Sequence, residues 1–241
     1  MFQLSAEHYD TLYAVKDYAR EAHLLRDRLS RLDPSLHTVL DIACGTGVHD
    51  EYLCRFYEVD GLDLRPEFLD AARRRNASGR YHVGDMRDFR LDRLYDVALC
   101  LFSSIGYART RAELVRTLRC FRDHLTPRGI VVVEPWLTPE VWESPSVRWD
   151  HGGAGVDSIV RMTHSSHREE GTDSISVMEF HYLVGSAQGV EYSRETHEMG
   201  LYSKRQMESA LVEAGFSDVH HDPDGLTGRG LYVARVGRVN S

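Results

Sequence analysis

Residues 39–47, Val-Leu-Asp-Ile-Ala-Cys-Gly-Thr-Gly, run an apolar strand into a glycine loop, with the acid Asp41 where the strand ends. Gly45 and Gly47 let the backbone turn sharply and let a ligand approach where a Cβ would collide. Two further acids follow at the ends of strand-like segments. Asp63 closes Glu58-Val-Asp-Gly-Leu-Asp, where a carboxylate can accept both hydroxyls of a ribose. Asp85, in Gly84-Asp85-Met86, can accept from an adenine amino group while Met86 packs on the ring. Loop and acids in this order are what gripping an adenosyl sulfonium ligand requires. The rival is a nicotinamide Rossmann protein, but Val48, His49 and Asp50 follow Gly47, so the third glycine of that fingerprint is missing. Asp50 and Glu51 would also repel a pyrophosphate.

Outward from this loop, apolar strand segments alternate with amphipathic helical ones, the pattern of a parallel sheet covered on both faces. Strands are expected at 37–42, 58–63, 80–83, 95–101 and 129–134, and helices at 15–32, 48–56, 66–76 and 110–124. Pro66 suits a first helical turn and Arg73, Arg74 and Arg75 a last one. After Glu134-Pro135-Trp136 the pattern changes to short β-like runs separated by glycine turns. A helix at 203–214, stopped by Gly215, and strands at 216–221 and 230–236 resume the first pattern. The expected class is a doubly wound, mostly parallel α/β sheet formed by 1–144 and 203–241. An antiparallel insert at 145–202 would roof the ligand cleft.

With 241 residues the chain can bury the core of one such domain, and its formal charge of -8 argues against a nucleic-acid or membrane surface. No apolar run approaches membrane-spanning length. The four cysteines show no metal-type pairing and no secretory leader is evident, so they read as reduced thiols of a cytoplasmic protein. His164 and His167 have an odd spacing that sends them to opposite faces of a strand, so no metal is expected.

Asp41-Ile-Ala-Cys-Gly-Thr-Gly, His82-Val-Gly-Asp-Met-Arg-Asp-Phe, Phe102-Ser-Ser-Ile-Gly-Tyr, Val131-Val-Val-Glu-Pro-Trp, Thr163-His-Ser-Ser and Gly228-Arg-Gly-Leu together resemble the class I S-adenosylmethionine-dependent N,N-dimethyltransferases that act on dTDP-3-amino-deoxysugars in macrolide antibiotic biosynthesis. The likeness spans nearly the whole chain. It implies that Tyr18, Ala43, Gly45, Gly47, Asp63, Asp85, Met86, Leu101 and Phe102 hold S-adenosyl-L-methionine, with S-adenosyl-L-homocysteine as product. It further implies that Tyr13, Tyr107, Glu134, Arg161, His181 and Arg229 surround a nucleotide-linked amino sugar, and that the enzyme is a homodimer.

Arg229, framed by Gly228 and Gly230, is the candidate for a diphosphate, because a guanidinium fork matches phosphate oxygens. Glu134, Tyr107 or water could relieve the amine of a proton. Tyr9 reads as the packing side of an amino-terminal helix. The chain departs from the resemblance in the shortened approach Ala14-Val15-Lys16-Asp17-Tyr18 and in Phe2, where relatives carry a tyrosine. Two other readings stay open: a small-molecule N- or O-methyltransferase whose acceptor has no nucleotide, and a non-catalytic cofactor-binding protein.

Overall fold

A computed structural model describes residues 4–237; Phe2 lies outside them. The central sheet contains β1 (Thr38–Ile42), β2 (Glu58–Asp63), β3 (Tyr81–Val83), β4 (Tyr95–Cys100), β5 (Leu125–Val133), β10 (Phe216–Asp222) and β11 (Leu231–Val236). Its order is β10-β11-β5-β4-β1-β2-β3. Strands β1 to β5 pair in parallel, and β11 runs antiparallel to both its neighbours. The direction of winding reverses between β1 and β4, so the loops after these strands diverge and leave a crevice at their carboxyl ends.

Alternation along the strands feeds two cores. Leu40, Ile42, Ala98, Cys100, Val131 and Val133 face α5 (Arg111–Asp123) and α6 (Lys204–Glu213), where Leu118, Phe121 and Leu211 meet them. Val39, Val97, Leu99 and Val132 face the other way, onto Leu25 and Leu29 of α2 (Tyr18–Leu32) and Leu53 of α3 (Val48–Leu53). The remaining sheet-covering helix, α4 (Pro66–Arg75), starts on Pro66 as expected.

The elements match the sequence reading to within a few residues, and the differences have local causes. Helix α2 begins at Tyr18 rather than 15 because the Asp17 carboxylate accepts from Arg20 N at 2.9 Å and caps it there. Strand β5 starts at Leu125, earlier than 129, by pairing with Tyr95 ahead of a bulge. The runs after residue 145 are not short: β6 (Ser146–Ala154), β7 (Asp157–Glu170), β8 (Asp173–Ser186) and β9 (Gly189–Leu201) form an antiparallel meander in that order. Glycines 155, 171 and 189 sit at its turns with positive φ.

An additional helix, α1 (Ala6–Leu12), capped by Ser5, wedges between this meander and the central sheet. Leu4 and Leu12 bury against Ile159 and Tyr182 of the meander, with Tyr9 and Tyr13 packed beside them.

Gly47 caps α3 in the left-handed region at φ 72°, and a Cβ there would lie 2.7 Å from Ala72 Cβ of α4. Gly47→Ala therefore combines backbone strain with overlap against a packed helix. It should lower unfolding free energy by roughly 2–4 kcal/mol, read from chemical denaturation of the ligand-free protein.

Candidate functional site

A cavity of about 800 Å³ opens at the carboxyl ends of β1, β2 and β4. Ala43, Gly45, Asp63, Asp85, Met86 and Tyr107 line it, together with Thr196, His197 and Glu198 from β9. A smaller adjoining pocket is lined by Tyr18, Ala43, Gly45, Leu101 and Phe102, with Asp41 among its walls. All the expected cofactor residues except Gly47 thus meet at two connected hollows. Gly47 borders neither; its missing side chain admits α4 instead.

Gly45 has φ 58°, and a Cβ added to it would project into open space. The loop therefore bares its backbone, as the close approach of a ligand requires. Asp63 Oδ2 accepts from Gly45 N and Oδ1 from Arg65 N, each at 2.9 Å. These bonds fix the carboxylate at the cavity wall and leave a second lone pair on each oxygen for ribose hydroxyls. Burial pushes its pKa up, and the two N–H donors oppose that rise only in part.

Asp85 is gripped by Arg87, whose Nε reaches Oδ1 at 2.9 Å and whose Nη2 reaches Oδ2 at 2.6 Å. These bonds hold the Asp85 pKa below the ordinary carboxylate range. Beneath the glycine loop, burial and the neighbouring Asp50 carboxylate raise the Asp41 pKa. Tyr81 Oη donates to Asp50 Oδ2 at 3.0 Å. These features fit an adenosyl ligand: a bare glycine backbone, an oriented carboxylate hydrogen-bonded to it at the cavity wall, and an apolar Met86 beside Asp85.

On the acceptor side, Tyr13 stands edge-on to Phe102 at 5.0 Å between centroids and accepts at Oη from Arg161 Nη1 at 2.8 Å. Arg161 also pairs with Asp150 and lies over Phe180. Arg229 covers Phe102 at 5.2 Å and Trp136 at 5.9 Å, and reaches Ser103 Oγ at 3.3 Å. Tyr13, Arg161 and Arg229 thus gather around Phe102, the residue that also walls the smaller pocket.

His181 does not join them. Strand alternation puts Phe180 and Tyr182 on the face toward α1 and His181 on the opposite face, where it meets Tyr192 Oη at 2.7 Å. The same parity places His164 and His167 on opposite faces. Among the described residues no group of three or more His, Cys, Asp or Glu side chains is arranged to hold a metal.

Glu134 is fully buried. Its Oε2 accepts from Phe102 N at 2.7 Å, and its Oε1 from Thr227 Oγ1 at 2.5 Å. Its carboxylate is occupied in holding the chain. Sequence reasoning overlooked His197, Glu195 and the α1 anchors; the alternation in Glu195-Thr-His197 was the available signal for the first two.

Residues 39–129 match the family model of a methyltransferase domain. The chain is 41% identical over 236 residues to the dTDP-3-amino-3,6-dideoxy-alpha-D-glucopyranose N,N-dimethyltransferase of Streptomyces fradiae, covering 96% of this chain and 91% of that protein.

The chain belongs to the dTDP-amino-deoxysugar N,N-dimethyltransferase family.

Among solved structures, DesVI of Streptomyces venezuelae superposes with a TM-score of 0.87 at 36% identity, covering 98% of this chain and 100% of that one. CalS10, an amino pentose methyltransferase from Micromonospora echinaspora solved with S-adenosylmethionine bound, gives 0.82 at 30% identity, with 98% of each chain covered. The protein is an S-adenosylmethionine-dependent methyltransferase.

Asp63→Ala removes the carboxylate expected to accept the ribose hydroxyls. Charge-assisted bonds of about 1.5–3 kcal/mol each make a loss of roughly tenfold to several hundredfold in S-adenosylhomocysteine affinity the expected calorimetric result for the folded variant. Parental affinity would remove Asp63 from the cofactor site.

Proposed function

We propose that the protein methylates the amine of a dTDP-linked amino-deoxysugar, with Arg229 reading the diphosphate. The observation that carries this reading is the state of the arginines. Arg65, Arg87, Arg109 and Arg161 are each paired with a carboxylate, from Glu67, Asp85, Glu198 and Asp150 respectively. Arg229 has no carboxylate partner among the described residues and rests instead on two aromatic faces and a hydroxyl. An anion reaching Arg229 therefore meets an uncompensated charge with a bidentate fork. Relatives acting on dTDP-amino sugars support the same acceptor class.

When bound, the cofactor supplies an electrophilic methyl group on a sulfonium. The protein's own contribution is chiefly orientation, worth several kcal/mol and up to about 7–11 in favourable model systems. Tyr13 and Phe102 form an aromatic wall between the two ligands, and Arg161 fixes the Tyr13 hydroxyl. Glu134 serves as a brace rather than a proton acceptor, because both of its oxygens already take hydrogen bonds. Tyr107, at the cavity wall, is the group placed to meet the amine.

The meander has two roles in this reading. Its inner face supports the acceptor, and its outer face pairs with a second copy of the chain in a cytoplasmic homodimer. Val147, Trp149, Met162, Leu183 and Tyr192 are exposed together on that outer face, too apolar a surface to be left to solvent. Four free cysteines accord with a reducing compartment.

Arg229→Ala should raise KM for a dTDP-amino sugar by about tenfold, the value of one charge-assisted contact, and leave S-adenosylhomocysteine binding within twofold. Arg229→Lys should recover only part of the loss. Mass spectrometry with labelled cofactor and a panel of dTDP-linked 3-amino and 4-amino sugars reads both turnover and the methyls added. Equal weakening of both ligands would assign Arg229 to structure alone.

Replacing Trp149 by Glu together with Met162 by Lys should convert a two-chain species into a folded monomer in sedimentation. A parent that is already monomeric at micromolar concentration would refute the pairing.

A further inference from the structure

Behind Tyr107 lies a line of buried groups that methyl transfer itself does not require. Tyr107 Oη is 2.6 Å from His197 Nδ1, and His197 Nε2 is 3.1 Å from Glu195 Oε1. Tyr182 Oη donates to that same Oε1 at 2.6 Å. His197, Glu195 and Tyr182 are 3%, 4% and 2% exposed, whereas Tyr107 and His197 both border the large cavity. The line crosses from the 3-10 turn Ser104–Tyr107 to β9 and β8, elements brought together only by folding.

We infer that Tyr107, His197 and Glu195 form a proton relay that draws the proton from the acceptor amine, Tyr107 touching the amine and His197 and Glu195 acting through it as positioning residues. The inference rests on the amine-methylating reading.

Glu195 Oε1, 3.1 Å from Nε2, favours the tautomer that carries the ring proton there and leaves the Nδ1 lone pair for the Tyr107 hydroxyl. An amine arriving as ammonium has no lone pair with which to attack. In the relay its N–H bond breaks as a new O–H bond forms at Tyr107 Oη. The original hydroxyl proton passes to Nδ1, and the resulting imidazolium is stabilised by Glu195. No electrons change hands, and the proton returns to solvent through the cleft when product leaves. Burial, with Tyr13, Glu195 and Asp63 nearby, pushes the Tyr107 phenol well above its ordinary pKa. A free tyrosinate is therefore a poor resting place, and the proton needs the base behind it.

Among the described residues, the groups facing His197 include Tyr107 from the turn, Glu195 from its own strand, and Tyr182 and the Phe180 ring from β8. Farther out stand Tyr13, Arg161 of β7 and, across the cleft, Asp63. Glu198, next in sequence, turns away to Arg109 and Arg168.

The test combines kinetics with a measurement on the ligand-free enzyme. His197→Asn keeps an acceptor for the Tyr107 hydroxyl but cannot take a proton. It should lower kcat on a dTDP-amino sugar by about 100-fold, with acceptor KM, S-adenosylhomocysteine affinity and Tm close to the parent's. The acid limb of the parent's kcat profile, where imidazolium blocks the relay, should disappear. Glu195→Gln should shift that limb to lower pH, since the imidazolium loses its counter-charge, and Tyr107→Phe should reproduce the kcat loss.

Nitrogen-15 NMR of the free enzyme should show His197 as the neutral Nε2–H tautomer, with its Nδ1 signal moved by Tyr107→Phe. Parental kcat in folded His197→Asn, an unmoved acid limb in Glu195→Gln, or an Nδ1–H tautomer would each overturn the relay. Absence of turnover by the parent on every amino sugar would instead overturn the substrate reading, and the NMR result would still decide the tautomer.

Discussion

The buried carboxylate of Glu134 is the constraint on which the site depends. From the end of β5 it holds Phe102 N, just past the end of β4, and Thr227, in the loop before β11. Phe102 and Ser103 both occupy the left-handed region, at φ 52° and 66°. Each such residue costs on the order of 1–3 kcal/mol, and the conformation persists only where the surroundings over-determine it. Here they do: Ser103 Oγ donates to Pro135 O at 2.8 Å and receives Arg229, while Glu134 clamps the preceding N–H. The strained pair turns the chain into the 3-10 segment that presents Tyr107 and leaves the Phe102 ring at the wall of the smaller hollow. A single carboxylate thereby sets the cofactor wall, the acceptor wall and the base of the proton line.

Closure of the cofactor side comes from the amino-terminal segment. Asp10 accepts from Thr46 Oγ1 of the glycine loop at 2.5 Å and from Arg75 Nη2 at 2.7 Å, and Arg75 also reaches Thr46 O. Arg65 Nη1 donates to Leu4 O. Helix α1 is thus latched to the loop it covers, while its other side packs on Ile159 and Tyr182 of the meander. The roof over the cofactor and the support of the acceptor are therefore one packed unit, so a shift in either reaches the other.

The parallel sheet was legible because each strand is apolar on both faces and each connecting helix carries its own start and stop signals. Asp63 and Asp85 were legible as acids placed at or just past the ends of β2 and β3, where the strands deliver them to the rim of the cavity. Glu134 was legible as the acid that follows β5, but neither its burial nor its partners were, since Thr227 is 93 residues away in sequence. His181 was carried over by resemblance without regard to alternation, and its neighbour Tyr182 points the way it was expected to point. Glu195 and His197 passed unnoticed because a two-residue acid–histidine spacing on a strand has no chemical meaning until Tyr107 and Tyr182 arrive from other elements.

Charge then sorts the two ligands. Where an adenosyl group would lie, Arg87 and Arg65 are paired with Asp85 and Glu67, and burial raises the pKa of Asp41 beneath the glycine loop. Asp63 remains as the oriented acceptor. A cofactor with a positive sulfonium meets little repulsion there. At the other end, Arg229 stands with its charge unpaired against Phe102 and Trp136, whose faces stabilise a guanidinium without cancelling it. The chain is acidic overall, so long-range attraction does not bring an anionic acceptor in. Recognition has to be local, and Arg229, which has no carboxylate partner among the described residues, lies 5.2 Å from the Phe102 ring at the wall of the smaller pocket.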